Sequence, residues 1–288
     1  DSEVLYKQSK NFPFVVGSGK RGYSFLCLES GALYQSPLTW YAGKMQWDLS
    51  PGYQPEGNPR FERRVSDGCV ACHFGRMSSD NSGPHRFQPK VVEEFAIGCE
   101  RCHGPGEKHV LFHSGEDGIE NIIVNPQKLP HSKRESVCYQ CHLHGVERIL
   151  REHRSEFDFR PGDELSDIWN VVLQTSSVNG NGITAVSQVE QIRNSKCFIE
   201  SSGRFGCINC HDPHGSPLAD ERIIFFRNRC LNCHGVDSPL CKLDIAERKK
   251  FSSQDSCIDC HMPKLAANDV PHTSQTDHRI LRESQRTV

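Results

Sequence analysis

The sequence predicts mostly irregular loops and short α-helices, led by a small β-rich N-terminal segment, and three observations predict it. The 288 residues are only 36% apolar, with a mean hydropathy of −0.58, lean for a conventional side-chain core of that size. Cysteine and histidine each occur 15 times, and twelve of the cysteines fall into six C-x-x-C pairs. The first 65 residues hold no such pair and carry short aromatic and β-branched runs broken by Gly and Pro. No apolar run approaches the length of a membrane-spanning helix. A net charge of −2 and a pI near 6.8 argue against a nucleic-acid partner.

The pairs are Cys69/Cys72, Cys99/Cys102, Cys138/Cys141, Cys207/Cys210, Cys230/Cys233 and Cys257/Cys260, and each is followed at once by a histidine: His73, His103, His142, His211, His234 and His261. C-x-x-C-H is the signature of c-type haem attachment. The two thiols add across porphyrin vinyl groups as thioethers, and the adjacent imidazole reaches the iron from one face. Zinc held by two C-x-x-C pairs is the competing reading, but it leaves the histidines idle, as do disulfides. With His at 15 positions in 288, six chance matches have a probability on the order of 10⁻⁸. Thioredoxin-like chemistry needs one such motif beside a βαβ pattern, not six in tandem. Six covalently bound haem c groups are therefore predicted, and the fold class is that of a multihaem cytochrome c, its loops and short helices wrapped around six haems. The porphyrins supply apolar material that the side chains lack. Their propionates and ferric irons would take the net charge from −2 to about −8. Cys27, Cys197 and Cys241 remain; an odd number cannot all pair. One disulfide and one buried thiol are expected, with Cys197–Cys241 the suggested pair.

Taken in order, residues 1–65 form the haem-free β-rich segment, where FPFVVGSG, YSFLCLES, GALYQSP and LTWYAGKMQWDLSP read as short strands and hairpins. Gly17-Ser18-Gly19-Lys20-Arg21-Gly22 is a literal G-x-G-x-x-G, but a dinucleotide fingerprint requires a following helix. YSFLCLE is strand-like, so a hairpin turn is expected instead. Motif starts are separated by 30, 39, 69, 23 and 27 residues. Residues 66–155 thus hold three haems and 201–288 three more with a C-terminal ligand-bearing tail, while 156–200 form a bridging loop and helix. In the bridge, Val186, Val189, Ile192 and Ile199 recur at near-helical spacing. They predict one helix over about 184–200, packed toward haem, after the loop SSVNGNG. CKLDIAERKKF (241–251) predicts another short helix.

The sixth iron position separates electron transfer from chemistry. Nine histidines are spare, enough for bis-His ligation throughout. His109 in CHGPGEKH and His214 in CHDPHG follow their motifs across proline turns, which suits ligation of a neighbouring haem. His272 and His278 lie in DVPHTSQTDHRI beyond the last motif. These four are the first-choice distal ligands. His85, His131, His144, His153 and His113 are candidates for the remaining two positions; otherwise each is a surface histidine or a propionate partner. Of the methionines, Met262 beside His261 reads as packing.

CERCHGPGEKHV, CINCHDPHG, and CIDCHMPK followed by DVPH and DHRI resemble multihaem cytochromes of the cytochrome c-554 type, and most of all the doubled-C-x-x-C-H proteins that often carry tetratricopeptide repeats. VVGSGKRGYSFL, SPLTWY and WDLSPGY resemble the haem-free β segment of those proteins. The resemblance implies bis-His ligation and export, and supports His109, His214, His272 and His278 as ligands. Two departures stand out: the sequence ends at Val288 with no repeat domain, and no motif precedes residue 69. They suggest a processed or dedicated electron-carrying module.

Electron transfer is the leading function, because motifs this close in sequence force porphyrins together. One form is an extracellular conductor in which subunits self-associate into a homopolymeric filament. The alternative is a soluble periplasmic shuttle serving redox partner proteins or an extracellular electron acceptor. A third reading, an enzyme of nitrogen-compound redox chemistry, needs one open iron; with no C-x-x-C-K variant and ample histidines, it is the least favoured. Haem is attached to such motifs outside the cytoplasm, so the protein is expected to be exported, to the periplasm, cell surface or medium. DSEVLYKQSK has no apolar signal core, and the expectation is that a signal has been removed.

Overall fold

A computed structural model describes residues 7–79, 82–173, 183–202, 204–235, 241–252 and 254–282; the SSVNGNG loop (176–182) falls outside them. The N-terminal runs form β1 (Phe14–Val16), β2 (Gly22–Glu29), β3 (Ala32–Gln35), β4 (Leu38–Tyr41) and β5 (Gln46–Leu49). They make one antiparallel sheet in the order β1-β2-β4-β5, with β3 also paired to β2. The glycine-rich stretch is the β1–β2 connection, with Gly17 and Gly19 at φ +110° and +81°. A strand follows it, so no helix N-terminus faces it. Ser30 and Gly31, both at positive φ, turn β2 into β3 with the twist that two-residue hairpins favour.

The sheet positions the first motif. Leu26 and Leu33 pack with Val65, Val70, Phe74, Met77 and Phe87 in one apolar cluster. Val70 and Phe74 belong to or abut α1 (Asp67–His73), which carries Cys69, Cys72 and His73. A short hairpin, β6 (Arg76–Ser79) and β7 (Phe87–Glu94), leads to α2 (Glu100–His103) and α3 (Glu107–His113). Next come α4 (His131–His142) and the antiparallel pair β8 (Glu147–Leu150) and β9 (Trp169–Val172). Tyr139 of α4 and Leu143 just beyond it join Phe159, Leu165, Ile168, Trp169 and Val189 in a second cluster. Side chains thus build two modest cores of their own.

The bridge helix is broken in two: α5 (Gln188–Arg193) and α6 (Lys196–Glu200). Ser195, fully buried, takes an extended conformation, and its hydroxyl accepts from the Phe198 N–H at 3.2 Å. Capping starts a new helix where periodicity predicted continuation. Val189 enters the second core, while Ile199 is exposed. The 241–251 helix begins late, as α8 (Ile245–Phe251), because the Asp244 carboxylate accepts from the Glu247 N–H at 2.9 Å. α7 (Arg222–His234) precedes it, and α9 (Cys257–His261) and the pair β10 (Lys264–Ala266) and β11 (Ser274–Thr276) follow. The suggested Cys197–Cys241 disulfide is not made: both are free thiols, Cys197 lying near Cys233 and Cys241 beside Arg248. Cys27 is buried in β2, as expected of a lone thiol.

Asp255 ties the last helices together, accepting from Arg227 of α7 at 2.9 Å and from Arg248 of α8 at 2.7 Å. Arg248 first, and then Arg227, hold its carboxyl below the usual carboxylate range against the opposing effect of burial. A carboxyl depressed on folding contributes stability that is complete above its unfolded pKa, about 3.9, and is lost as pH falls through the lower folded value. Asp255→Ala is expected to cost about 2 kcal/mol at neutral pH, in the range of charged hydrogen bonds. In urea unfolding of the holoprotein, the gap from wild type should close as pH falls below the unfolded carboxylate value and through the lower folded one.

Candidate haem-binding centres

Five of the six motif histidines are the last residue of a helix: His73 of α1, His103 of α2, His142 of α4, His234 of α7 and His261 of α9. A helical turn puts residues i, i+3 and i+4 on one face, so both thiols and the imidazole face the same side. The chain then turns away, through Gly104 (φ +78°) and Gly235 (φ +67°) at two of these ends. The fourth motif is a 3₁₀ turn, Cys207–Asn209, yet the His211 N–H still bonds to the Cys207 carbonyl at 2.9 Å, which keeps the same presentation. Among the described residues no three or more His, Cys, Asp or Glu side chains converge as an ion site. The thiols therefore do not gather in the fours that zinc requires.

Histidine hydrogen bonds sort the imidazoles. A backbone carbonyl can only accept, so a ring that meets one through Nδ1 carries its proton there and leaves the Nε2 lone pair free for a metal. His103 Nδ1 donates to Val124 O at 2.8 Å, His261 Nδ1 to Leu281 O at 2.7 Å and His278 Nδ1 to Thr276 O at 2.8 Å. His109 Nδ1 bonds to Asn121 Oδ1 at 3.1 Å, and exposed His144 meets Gly145 O at 3.3 Å. Desolvation lowers the pKa of His73, His211 and His278, with neighbouring imidazoles adding to it for the last two. The neutral ring, the form that binds iron, is thereby favoured.

Two pairs of rings have the spacing of axial ligands. Metal–imidazole bonds of about 2 Å put ring centroids on opposite sides of one ion about 6 Å apart. His103 and His214 lie 5.9 Å apart with planes 8° from parallel; His211 and His278 lie 6.2 Å apart at 25°. His214 thus faces the second motif rather than its own. Other spare histidines are engaged differently. His272 Nε2 bonds to Asp48 Oδ2 at 2.6 Å and the ring packs edge-on to Tyr41, tying the tail to the β4–β5 hairpin. His131 Nε2 donates to Phe205 O at 3.0 Å. His85 Nδ1 accepts from the Asp67 N–H at 3.0 Å while its own N–H bonds to Asp67 Oδ2, closing the start of α1. His113 meets His109 edge-on at 4.6 Å, one turn along α3. His153 is exposed beside Glu152.

Motifs distant in sequence touch. Cys72 and Cys141 lie within side-chain hydrogen-bonding reach, as do Cys138 and Cys207, and Cys230 and Cys257. Cys102 is close to Cys138, and Cys210 to Cys233. Arg101 reaches Ala71 O, and Gln140 Nε2 bonds to Arg101 O at 3.4 Å, lacing the first three motifs together. The third motif therefore borders the first, second and fourth, and the series runs on through the fifth to the sixth.

Neighbouring thiols left unpaired, each with an imidazole on the same helical face and facing rings at axial spacing, fit covalent haem. Residues 48–104 match the family model described as cytochrome c554 and c-prime. They span the first two motifs. That part of the chain is similar to c-type cytochromes. The fold of the chain is similar to that in the crystal structure of the outer cell wall cytochrome OcwA, with a TM-score of 0.56 at 17% identity over 91% of this chain. The match spans 66% of that protein's length. No curated protein matches the chain's sequence. No described helix is long and apolar enough to cross a membrane.

Sequence reasoning did not find the groups that set the imidazoles in place. Gln191 Oε1 accepts from the His278 N–H at 2.7 Å. Asp277, fully buried, binds Arg279 through both oxygens beside it. The one sequence signal for Asp277 is adjacency to His278, which is too common to be read alone, and Gln191, 87 residues from that histidine, carries none.

Proposed function

We propose that this chain is a hexahaem c-type cytochrome that conducts electrons outside the cytoplasm. Cys69/Cys72, Cys99/Cys102, Cys138/Cys141, Cys207/Cys210, Cys230/Cys233 and Cys257/Cys260 would hold the haems, and the following histidines would bind iron on one face. His214 would complete the iron at His103, His278 that at His211, and His109 a third. Haem c supplies one-electron exchange between ferric and ferrous iron, with potentials lowest when both axial ligands are imidazole. The observation that carries the reading is the series of neighbouring thiols that joins the first and second motifs to the third and runs on to the sixth, which would hold the anchored groups close together. Likeness in fold to an outer cell wall cytochrome favours export.

A pyridine haemochrome assay on purified protein is expected to return six equivalents per chain, one per motif, with low-spin EPR signals alone. Far fewer equivalents would overturn the reading. Strong CO binding to the reduced protein would instead favour an enzyme with an open iron. Repetition of the contact series from chain to chain would make a filament. Negative-stain microscopy is expected to show such polymers, whereas uniform single particles would leave a soluble shuttle.

A further inference from the structure

Charges of opposite sign, partly buried in one case and fully in the other, lie at neighbouring junctions of the contact series. Where the first and third motifs meet, Arg101 and Arg148 face both Cys72 and Cys141. Arg148 Nη1 donates to Gln140 O at 2.8 Å and its guanidinium lies 4.0 Å over the Trp169 ring. Its Nε and Nη2, and the Nε of Arg101, are buried without an acceptor among the described residues. Neither guanidinium has a carboxylate partner among the described ion pairs.

Where the third and fourth motifs meet, the buried charge is Glu135, 1% exposed. Its Oε2 accepts from the Cys207 N–H at 2.9 Å, and Oε1 faces Arg134 at 3.1 Å. A β-carbon at Gly206 would lie 2.2 Å from Oε1, so only glycine admits the carboxylate there. Arg134 offsets the charge on the Cys138 side, whereas Cys207, against Cys138 and desolvated, feels the carboxylate without Arg134.

A ferrous site carries one positive charge fewer than a ferric one. Nearby cations favour reduction and nearby anions favour oxidation, most strongly where water is excluded. We propose that Arg101 and Arg148 raise the reduction potential at the first-motif end while Glu135 lowers it at the fourth, so that electrons entering through the fourth motif settle toward the first. A one-electron donor is oxidised as it reduces the iron it meets, and each intramolecular exchange then oxidises one iron as it reduces its neighbour, with no bond made or broken. The inference rests on the hexahaem reading.

Its test is spectroelectrochemical titration of the intact holoprotein. Glu135→Gln keeps an acceptor for the Cys207 N–H and is expected to shift part of the titration to higher potential. Arg148→Gln is expected to shift part of it lower, and Arg148→Lys, which keeps the charge, to stay near wild type. Shifts of the same sign, or no shift in both variants, would overturn the inference. A haem count on each sample separates the outcomes: six equivalents with unmoved potentials defeat the charge step alone, whereas a wild-type count well short of six defeats the hexahaem reading beneath it.

Discussion

Cys138→Ala/Cys141→Ala is expected to lose one haem in six and, with it, the link between the two halves of the chain. The third motif is the junction of the series: Cys141 lies against Cys72, and Cys138 against Cys207 and near Cys102. Without a group anchored there, the first two motifs lose their route to the last three. Rapid mixing with a limiting reductant should turn one internally equilibrated reduction into two independent phases. The helix itself should persist, because Tyr139 and Leu143 keep their places in the second core. Cys27→Ala, in the buried thiol of the sheet, is the control and should leave the haem count unchanged. A single unaltered phase in the double variant would place the junction elsewhere.

The second large effect is expected at the axial positions. His278→Ala should convert one iron from low-spin to high-spin and create a CO site in the reduced protein, because the ring opposite His211 is removed. His214→Ala should do the same at the iron of His103. The controls are His131→Ala and His272→Ala, whose Nε2 atoms already serve Phe205 O and Asp48 Oδ2; both should leave EPR low-spin. His272→Ala should instead lower Tm by freeing the tail from the β4–β5 hairpin. A high-spin signal in His272→Ala would restore that residue as a ligand and displace the clamp. The sequence alone ranks His272 and His278 together, since both follow the last motif; their hydrogen bonds separate them.

The chemistry was legible from residue order because it is local. C-x-x-C-H sets its three reactive groups within one helical turn, so spacing alone points to what would be attached and to which side chains. The β-rich N-terminus was legible for the same reason, through aromatic and apolar runs such as YSFLCLE that are punctuated by glycine. Short-range rules failed where a single buried polar group intervened. Ser195 splits a helix that apolar periodicity would continue, and Asp244 delays another by capping it.

What tertiary structure alone decided is the order of contact. By spacing, the motifs divide into two groups of three across a 69-residue gap. In three dimensions the gap closes: Glu135 of the third motif's helix binds the backbone of the fourth motif at Cys207, and Gly206 makes room for it. The facing of His214 toward His103 is likewise invisible in sequence, because their separation of over a hundred residues carries no periodic signal. Covalent attachment is encoded by neighbours along the chain; the route an electron can take is encoded by neighbours in space, which only packing brings together.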